Sequence, residues 1–386
     1  MRPRKVGQVA RLTISHRWQL RYTGGMAYNP PAAQQPRTHP SPLLLGPNDK
    51  WLLASQIQKG IRHGKSDAAS WAAEQLHAID HNYLRYRLSV IAVEDVAAGN
   101  PGLIAEAFSG GWGKRAVESR GGLGFLSSLV RQMADGVKSR LPCDWMGCTR
   151  WLIPFEEAHG PWKELPMGSS IDMAQDATRP WWERGLAAWR AAGTTRFSTP
   201  HLPEVAGDWE RWKAACAETT QDKTTALTMS AGEHQREPHP VFLGLALMDH
   251  KTGGSSIVSP SIPPLPEIGP WLSATFDKHT SEGKKAYRRW LATHHEADSF
   301  LSSHHLDDAG KLDAIGRMAF WIEGGRCNRH VETTLSKQVL TDIKSDYLRR
   351  STLPAREFAA LCVDPQGWHD SRSAVMRQVS PQGFRP

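Results

Sequence analysis

The stretch from Asp49 to Pro101, DKWLLASQIQKGIRHGKSDAASWAAEQLHAIDHNYLRYRLSVIAVEDVAAGNP, constrains the fold more than any other part of the chain. Leu53, Ile57 and Ile61 recur every four residues, which places them on one stripe of a helix. The HGKSD segment then interrupts the pattern with a glycine and a capping serine or aspartate. A second helix carries Ala68, Ala69, Trp71, Ala72, Leu76 and Ile79, and small side chains beside one large ring suit close approach of a neighbour. A third, from about Asn82, turns Leu84, Leu88 and Ile91 inward and leaves Arg85 and Arg87 on other faces. Gly99, Asn100 and Pro101 stop it.

Two blocks in this stretch carry a resemblance. Lys59, Arg62, Gly64, Ser66, Asp67 and Ala68 match a K-S-x-R-G-S-D-like turn and the start of an Ala-rich helix. Arg87, Leu88, Ala92, Glu94, Asp95, Asn100 and Pro101 match an R-R-L-x-x-x-A-S-E-D-x-G-x-A-D-P block. On these residues the stretch resembles the helical C-terminal region of the replication-associated recombination ATPases, clamp-loader relatives of the AAA+ class that act at stalled forks. It departs at Val93, where the family has Ser, and at Ala97 and Ala98, where the family has a nearby Gly. A looser echo follows through Ala134, Lys138 and Ser139, so the likeness spans roughly residues 50–150. The resemblance implies a collar-like element that holds subunits together. It makes Lys59, Arg62, Asp67, Arg87, Glu94, Asp95 and Pro101 structural motif residues.

In that family an ATPase core precedes the helical region. Here about fifty residues precede it, too few for a nucleotide-binding domain. Gly60, Gly64, Lys65 and Ser66 imitate a P-loop, but only Ile61, Arg62 and His63 separate the glycines where that motif has four residues. The segment also lies between two helices, whereas a phosphate loop follows a strand and aims its amides from a helix N-terminus. No other stretch offers a Walker A pattern, and no cofactor is expected.

The chain has 386 residues, a formal charge of +8 and a pI near 9.3, a balance that favours a polyanionic partner. Twenty-six prolines and 33 glycines predict long irregular connections. Sixteen tryptophans, among them Trp112, Trp145, Trp151, Trp162, Trp181, Trp182, Trp189, Trp209 and Trp212, are read as anchors between helices or as stacking platforms for bases. Five scattered cysteines argue against a disulfide framework, and Cys143, Cys148 and His159 lack the second close pair of a zinc knuckle. There is no 18-residue apolar run and no signal-peptide core, so no membrane span and a cytoplasmic location are expected.

The composition divides the chain into a disordered basic, Pro-rich arm (1–47), the collar-like helical domain (48–150), a Trp/Pro-rich irregular and helical region (151–270) and a C-terminal helical region with a basic helix (271–380). Met26 is an alternative start to Met1, and Pro381–Pro386 is expected to fray. Within the third part, residues 179–193 and 208–220 read as helices. TTQDKTTALTMSAGEHQREPHP reads as a surface loop, VFLGLALMD as a buried strand or a core helix, and SIVSPSIPPLPEIGP as an extended linker. From Asp307 the chain is helical again, with a last helix from about Val331 to Leu348. The fold class expected is mainly α, a helical collar-like domain, an irregular Trp/Pro-rich region and a C-terminal helical region, with one short strand pair.

The second informative stretch is TFDKHTSEGKKAYRRWLATHHEADSFL. Asp277, His279 and Thr280 precede a helix whose Lys284, Lys285, Arg288 and Arg289 fall on one broad face, with Tyr287 and Trp290 interleaved. Cations on one side and aromatic anchors beside them suit a helix laid along a phosphate backbone. His279, Lys284, Lys285, Tyr287, Arg288 and Arg289 are therefore the nucleic-acid-binding candidates. The same pattern equally fits a solvated basic face over an aromatic core. His294, His295, His304 and His305, with Glu296, Asp298, Asp307 and Asp308, form a tract rich in metal-binding types but match no motif such as H-E-x-x-H. No metal site and no catalytic residue are predicted.

The leading expectation is a motor-less replication or recombination accessory protein that binds DNA, replisome proteins or both, and self-associates. The partners expected are DNA and an AAA+ ATPase, clamp loader or single-strand-binding protein. The alternatives are a docking subunit for an AAA+ clamp-loader-type ATPase without DNA binding of its own, and a metal-dependent nuclease built on the His/Asp tract.

Overall fold

The apolar stripe of the first helix becomes α1 (Lys50–His63), which buries Leu53, Ile57 and Ile61 completely. It ends on Gly64 in the left-handed region, φ +69°. Only glycine occupies that region without strain, and a Cβ here would also collide with the Asn328 amide. Gly64→Ala is expected to lose about 1–2 kcal/mol from backbone strain alone, and more because Asn328 must move. A urea titration reads this as a lower midpoint at unchanged slope.

The computed structural model describes residues 49–151, 165–197, 204–233, 235, 237–262, 265–350, 360–362 and 365–379. The arm at 1–47, His159, Trp162, the side chain of Trp151 and Pro381–Pro386 lie outside the described residues.

The second and third helices are one element, α2 (Ser66–Ile91), broken at Asp80 where φ is −153° and ψ is 85°. The Asp80 carboxylate accepts the Tyr83 amide at 2.9 Å, so it caps the second half. A π-helical turn (Ala92–Val96) follows, and Asn100 caps α3 (Pro101–Ser109) with Pro101 at its first position. Then come α4 (Lys114–Ser119), α5 (Leu123–Asp135), α6 (Leu141–Trp151), α7 (Met167–Gln175), α8 (Trp181–Ala192), α9 (Trp209–Thr220) and α10 (Thr224–Ser230).

The VFLGLALMD segment is helical. It lies in α11 (His239–Thr252), in which every residue from His239 to Asp249 is buried. A helix apolar all round is one enclosed by neighbours, and α11 packs against α6, α8 and α9. The loop expected over 219–240 contains α10, started by Asp222, whose carboxylate accepts the Thr224 amide at 2.8 Å.

The last third contains β1 (Ser255–Val258), β2 (Glu267–Ile268), β3 (Trp271–Leu272), α12 (Ser281–Thr293), α13 (His295–Ser303) and α14 (Asp308–Ala319). A second π-helical turn (Phe320–Gly324), β4 (His330–Thr333), α15 (Thr334–Arg350) and α16 (Pro365–Val379) complete it. Among the described residues there are two strand pairs, both antiparallel: β1 with β4, Ser255 opposite Thr333, and the β2–β3 hairpin. Val331, expected to open the last helix, is in β4, and that helix starts at Thr334. With 71% helix and 5% strand the protein is mainly α.

From the first described residue onward the chain is one compact unit. One hydrophobic cluster runs from Leu52 through Leu186 and Phe242 to Met376, so the compositional divisions at 150 and 270 do not separate cores. A smaller cluster gathers Tyr287, Trp290, Leu301, Ile315, Met318, Cys362 and Trp368 under α12. Trp145, Trp181, Trp189, Trp209 and Trp212 are buried anchors, and Trp112 and Trp182 pack partly buried against the main core. No described helix is long and apolar enough to cross a membrane.

Candidate nucleic-acid interface and the ionic hub that fixes it

Arg62, Arg140 and Gln58 converge on one buried carboxylate. Asp95 lies in the first π-helical turn and is fully buried. Its Oδ1 accepts from Arg62 Nε at 2.9 Å and Arg140 Nη1 at 2.8 Å, and its Oδ2 from Gln58 Nε2 at 2.9 Å. Burial alone would raise the Asp95 pKa, but the Arg62 and Arg140 guanidiniums outweigh it and hold it at about 2. Glu94 accepts from Gln58 Nε2 at 2.7 Å, and Gln58 Oε1 in turn accepts from Arg87 at 3.2 Å. Lys59 pairs with Asp277, and Pro101 gives its carbonyl to Thr228 at 3.0 Å. Asp67 stays outside this set, in an exposed pair with Arg131 at 2.6 Å.

The hub ties distant chain segments to α1. Arg62 donates to the Gly324 carbonyl at 2.9 Å, its own carbonyl accepts the Asn328 amide at 2.9 Å, and the His63 ring meets the Glu323 carbonyl at 2.9 Å. Burial drives the His63 pKa down to about 3, so its ring stays neutral. Gln56, fully buried, donates to the Pro270 carbonyl at 3.1 Å and accepts the Leu272 amide at 3.0 Å, fastening the β2–β3 hairpin to the same helix. Lys138, of the looser echo, is buried and donates to the Gly136 carbonyl at 2.8 Å and Asn328 Oδ1 at 3.0 Å.

His239, at the start of α11, closes the hub. Its Nε2 lies 3.4 Å from Glu94 and its Nδ1 3.2 Å from Glu237. Burial opposes its charge, but Glu94, Cys143 and Glu237 raise its pKa to about 10. A folded pKa above the unfolded value, about 6.5, means that this stabilisation is complete below that pH. It is lost as pH rises through about 10. His239→Gln is expected to flatten the decline of the urea midpoint between about pH 6.5 and pH 10 relative to wild type.

The same hub positions α12. Asp277, held by Lys59, accepts the His279 amide at 2.8 Å and the Thr280 hydroxyl on its carbonyl at 3.0 Å. Thr280 Oγ1 then caps α12 by accepting the Gly283 amide at 3.0 Å. A Cβ on Gly283 would collide with the Asp277 carbonyl, so the glycine lets the helix start flush against this loop. On the inner face Trp290 meets Trp368 edge-on at 5.8 Å, and Tyr287 lies 6.3 Å from the same ring. Arg372, which pairs with Glu323, sits 5.9 Å from the Tyr287 centroid.

Lys284, Lys285, Arg288 and Arg289 all face solvent on the outer side of α12. None of the four pairs with a carboxylate among the described residues, whereas nearby Lys278 and Lys311 pair with Asp313 at 3.2 Å and Asp298 at 2.7 Å. Tyr287 and Trp290 are buried, so they brace the helix and present no face for stacking. His279 is exposed beside the helix start, but burial of its ring first, then Lys59, Lys278 and Lys284, lower its pKa. It is therefore neutral at neutral pH and adds no charge to the face.

The His/Asp tract goes into helix ends. His294 accepts the Ala297 amide at 3.3 Å, His304 Nδ1 meets the Phe300 carbonyl at 2.8 Å, and Asp307 caps α14 through the Gly310 amide at 2.7 Å. Among the described residues two other groups have metal-ligand spacing: Glu94, Glu237 and His239, and His77, His81 and Glu118. In the first, the imidazole lies between the two carboxylates, 3.4 Å from Glu94 and 3.2 Å from Glu237. The cysteines are free thiols, of which Cys143 alone is not fully buried, and it accepts from Arg140 at 3.3 Å.

One exposed feature escaped the sequence pattern. Trp51, Tyr83 and Tyr86 form an aromatic strip across α1 and α2, with Trp51 and Tyr83 centroids 5.2 Å apart and Tyr83 and Tyr86 6.3 Å apart. Trp51 is 58% and Tyr86 46% exposed. The signal was available in the spacing of Tyr83 and Tyr86 on one helix face, but the apolar stripe of α2 masks it.

Comparisons with protein-family models, curated proteins and solved structures find no match to this chain.

Proposed function

We propose that this protein is a DNA-binding accessory module of replication or recombination, a collar without a motor, and that α12 contacts the phosphate backbone through Lys284, Lys285, Arg288 and Arg289. The observation that carries the reading is the outer face of α12, whose four cations have no carboxylate partner among the described residues, on a helix capped by Thr280 and packed over an aromatic cluster. Four cations left without carboxylate partners, beside lysines that have them, gain most from phosphate, because each contact releases condensed counterions. The resemblance of residues 50–150 to a clamp-loader-type collar supports the same context. Anisotropy of labelled single-stranded, duplex and forked DNA across a salt series tests it, with affinity expected to fall linearly in log–log form. Absence of binding at low salt refutes it.

The aromatic strip of Trp51, Tyr83 and Tyr86 favours a second reading, docking onto an AAA+ ATPase or clamp loader. Exposed aromatic clusters mark interaction surfaces. Under that reading binding to DNA requires the partner.

A further inference from the structure

His77 and His81 stand one turn apart on α2, on either side of its break at Asp80, and Glu118 stands on α4. One ligand atom from each lies within 4.8 Å of the others. The two imidazoles meet edge to face with centroids 4.6 Å apart. Nε2 of His77 and both ring nitrogens of His81 are shut off from solvent, yet none has a hydrogen-bond partner among the described residues. Buried polar atoms left unpaired are rare in folded proteins, and each calls for a partner. The carboxylate is seated by Gly122, φ +57°, where a Cβ would come within 2.8 Å of Glu118 Oε2.

We propose that His77, His81 and Glu118 bind a divalent transition-metal ion, and that the ion is zinc. Two imidazoles and one carboxylate form a nitrogen-rich donor set that suits zinc with an open fourth position. Calcium and magnesium take oxygen ligands instead. An imidazole ligates through a nitrogen lone pair, and each ring offers one within reach of the Glu118 carboxylate. Bound there, the ion would staple the short α4 to the middle of α2 and give a partner to one orphaned nitrogen of each ring.

The test uses the full chain, stripped by a chelator and titrated with zinc against a competing chromogenic chelator at pH 7.5. The wild type is expected to take up one equivalent more than the His77→Gln/His81→Gln double variant. Loss of an outer-shell partner alone weakens metal sites by roughly 10–100-fold, so Glu118→Gln, which removes a ligand, is expected to weaken binding at least that much. Zinc should raise the melting temperature of the wild type and leave that of the double variant unchanged. If the double variant fails to fold, Glu118→Gln decides, because Glu118 is exposed on a surface helix. Equal zinc uptake by wild type and variants, or no uptake by the wild type, overturns the site.

Discussion

Replacing Asp95 by alanine is expected to destabilise the protein by about 3–5 kcal/mol, the cost of leaving buried charges without their partner. The carboxylate is fully enclosed and receives Arg62, Arg140 and Gln58. Without it two guanidiniums remain enclosed, Arg62 4% and Arg140 10% exposed, beside a cavity. A loss of that size is a large fraction of the usual 5–15 kcal/mol of a folded chain. The urea midpoint should fall steeply, or the variant should accumulate unfolded. Asp67→Ala is the matched control, because it removes another motif carboxylate whose pair with Arg131 is exposed. Exposed pairs contribute about 0–1 kcal/mol, so that midpoint should barely move. If both substitutions cost the same, the buried hub is not what the motif residues maintain. The acid limb gives a second readout. The folded Asp95 pKa, about 2, lies below the unfolded value, about 3.9. Its contribution is therefore present above pH 3.9 and lost as pH falls through about 2. Asp95→Asn should flatten the stability curve in that window and leave it unchanged in slope near neutrality.

The hub shows what a sequence of this kind carries and what it does not. The stripe Leu53, Ile57, Ile61 and the stops at Gly64 and Asn100 were legible because local periodicity and capping chemistry fix them within one helix length. No periodicity or capping pattern singles out Lys59, Arg62, Glu94 and Asp95 as members of a buried ionic hub. Their partners were not legible either, since Asp277, His239, Gly324 and Asn328 lie 145 to 266 residues away from one or another of them, and no spacing rule reaches that far. The strand alternative for VFLGLALMD persisted because burial on all sides erases the amphipathic signal that separates the two periods. Residues 224–230 read as loop because their threonines favour neither state alone. Thr225, Thr228 and Met229 are helical because α3, α9 and α11 pack around them. Val331 was assigned to a helix because the partners that define β4 as a strand, β1 and a bridge to Lys138, lie more than seventy residues earlier.

Replacing Lys284, Lys285, Arg288 and Arg289 by alanine is expected to remove most of the affinity for DNA. If each cation neutralises one phosphate of duplex DNA, the log–log salt slope should become shallower by about 3–4, at roughly 0.9 per contact. A wild type that uses all four would weaken by about 100-fold between 50 and 200 mM salt on their account, and the variant would lose that part of the dependence. The four side chains face solvent over an inner face already filled by Tyr287, Trp290 and Trp368, so the substitution removes charge without opening the core. Its urea midpoint should stay within about 0.5 kcal/mol of wild type, as for other surface changes. His279→Ala separates charge from proximity. The residue flanks the same helix start but its ring is held neutral by burial and by Lys59, Lys278 and Lys284. Its removal should leave the salt slope intact at pH 7.5, and at pH 5.5 a wild type that gains slope over His279→Ala would mean that the ring recovers its proton on the phosphate. A quadruple variant that binds with unchanged affinity and slope would place the DNA contact elsewhere and leave α12 as a solvated face.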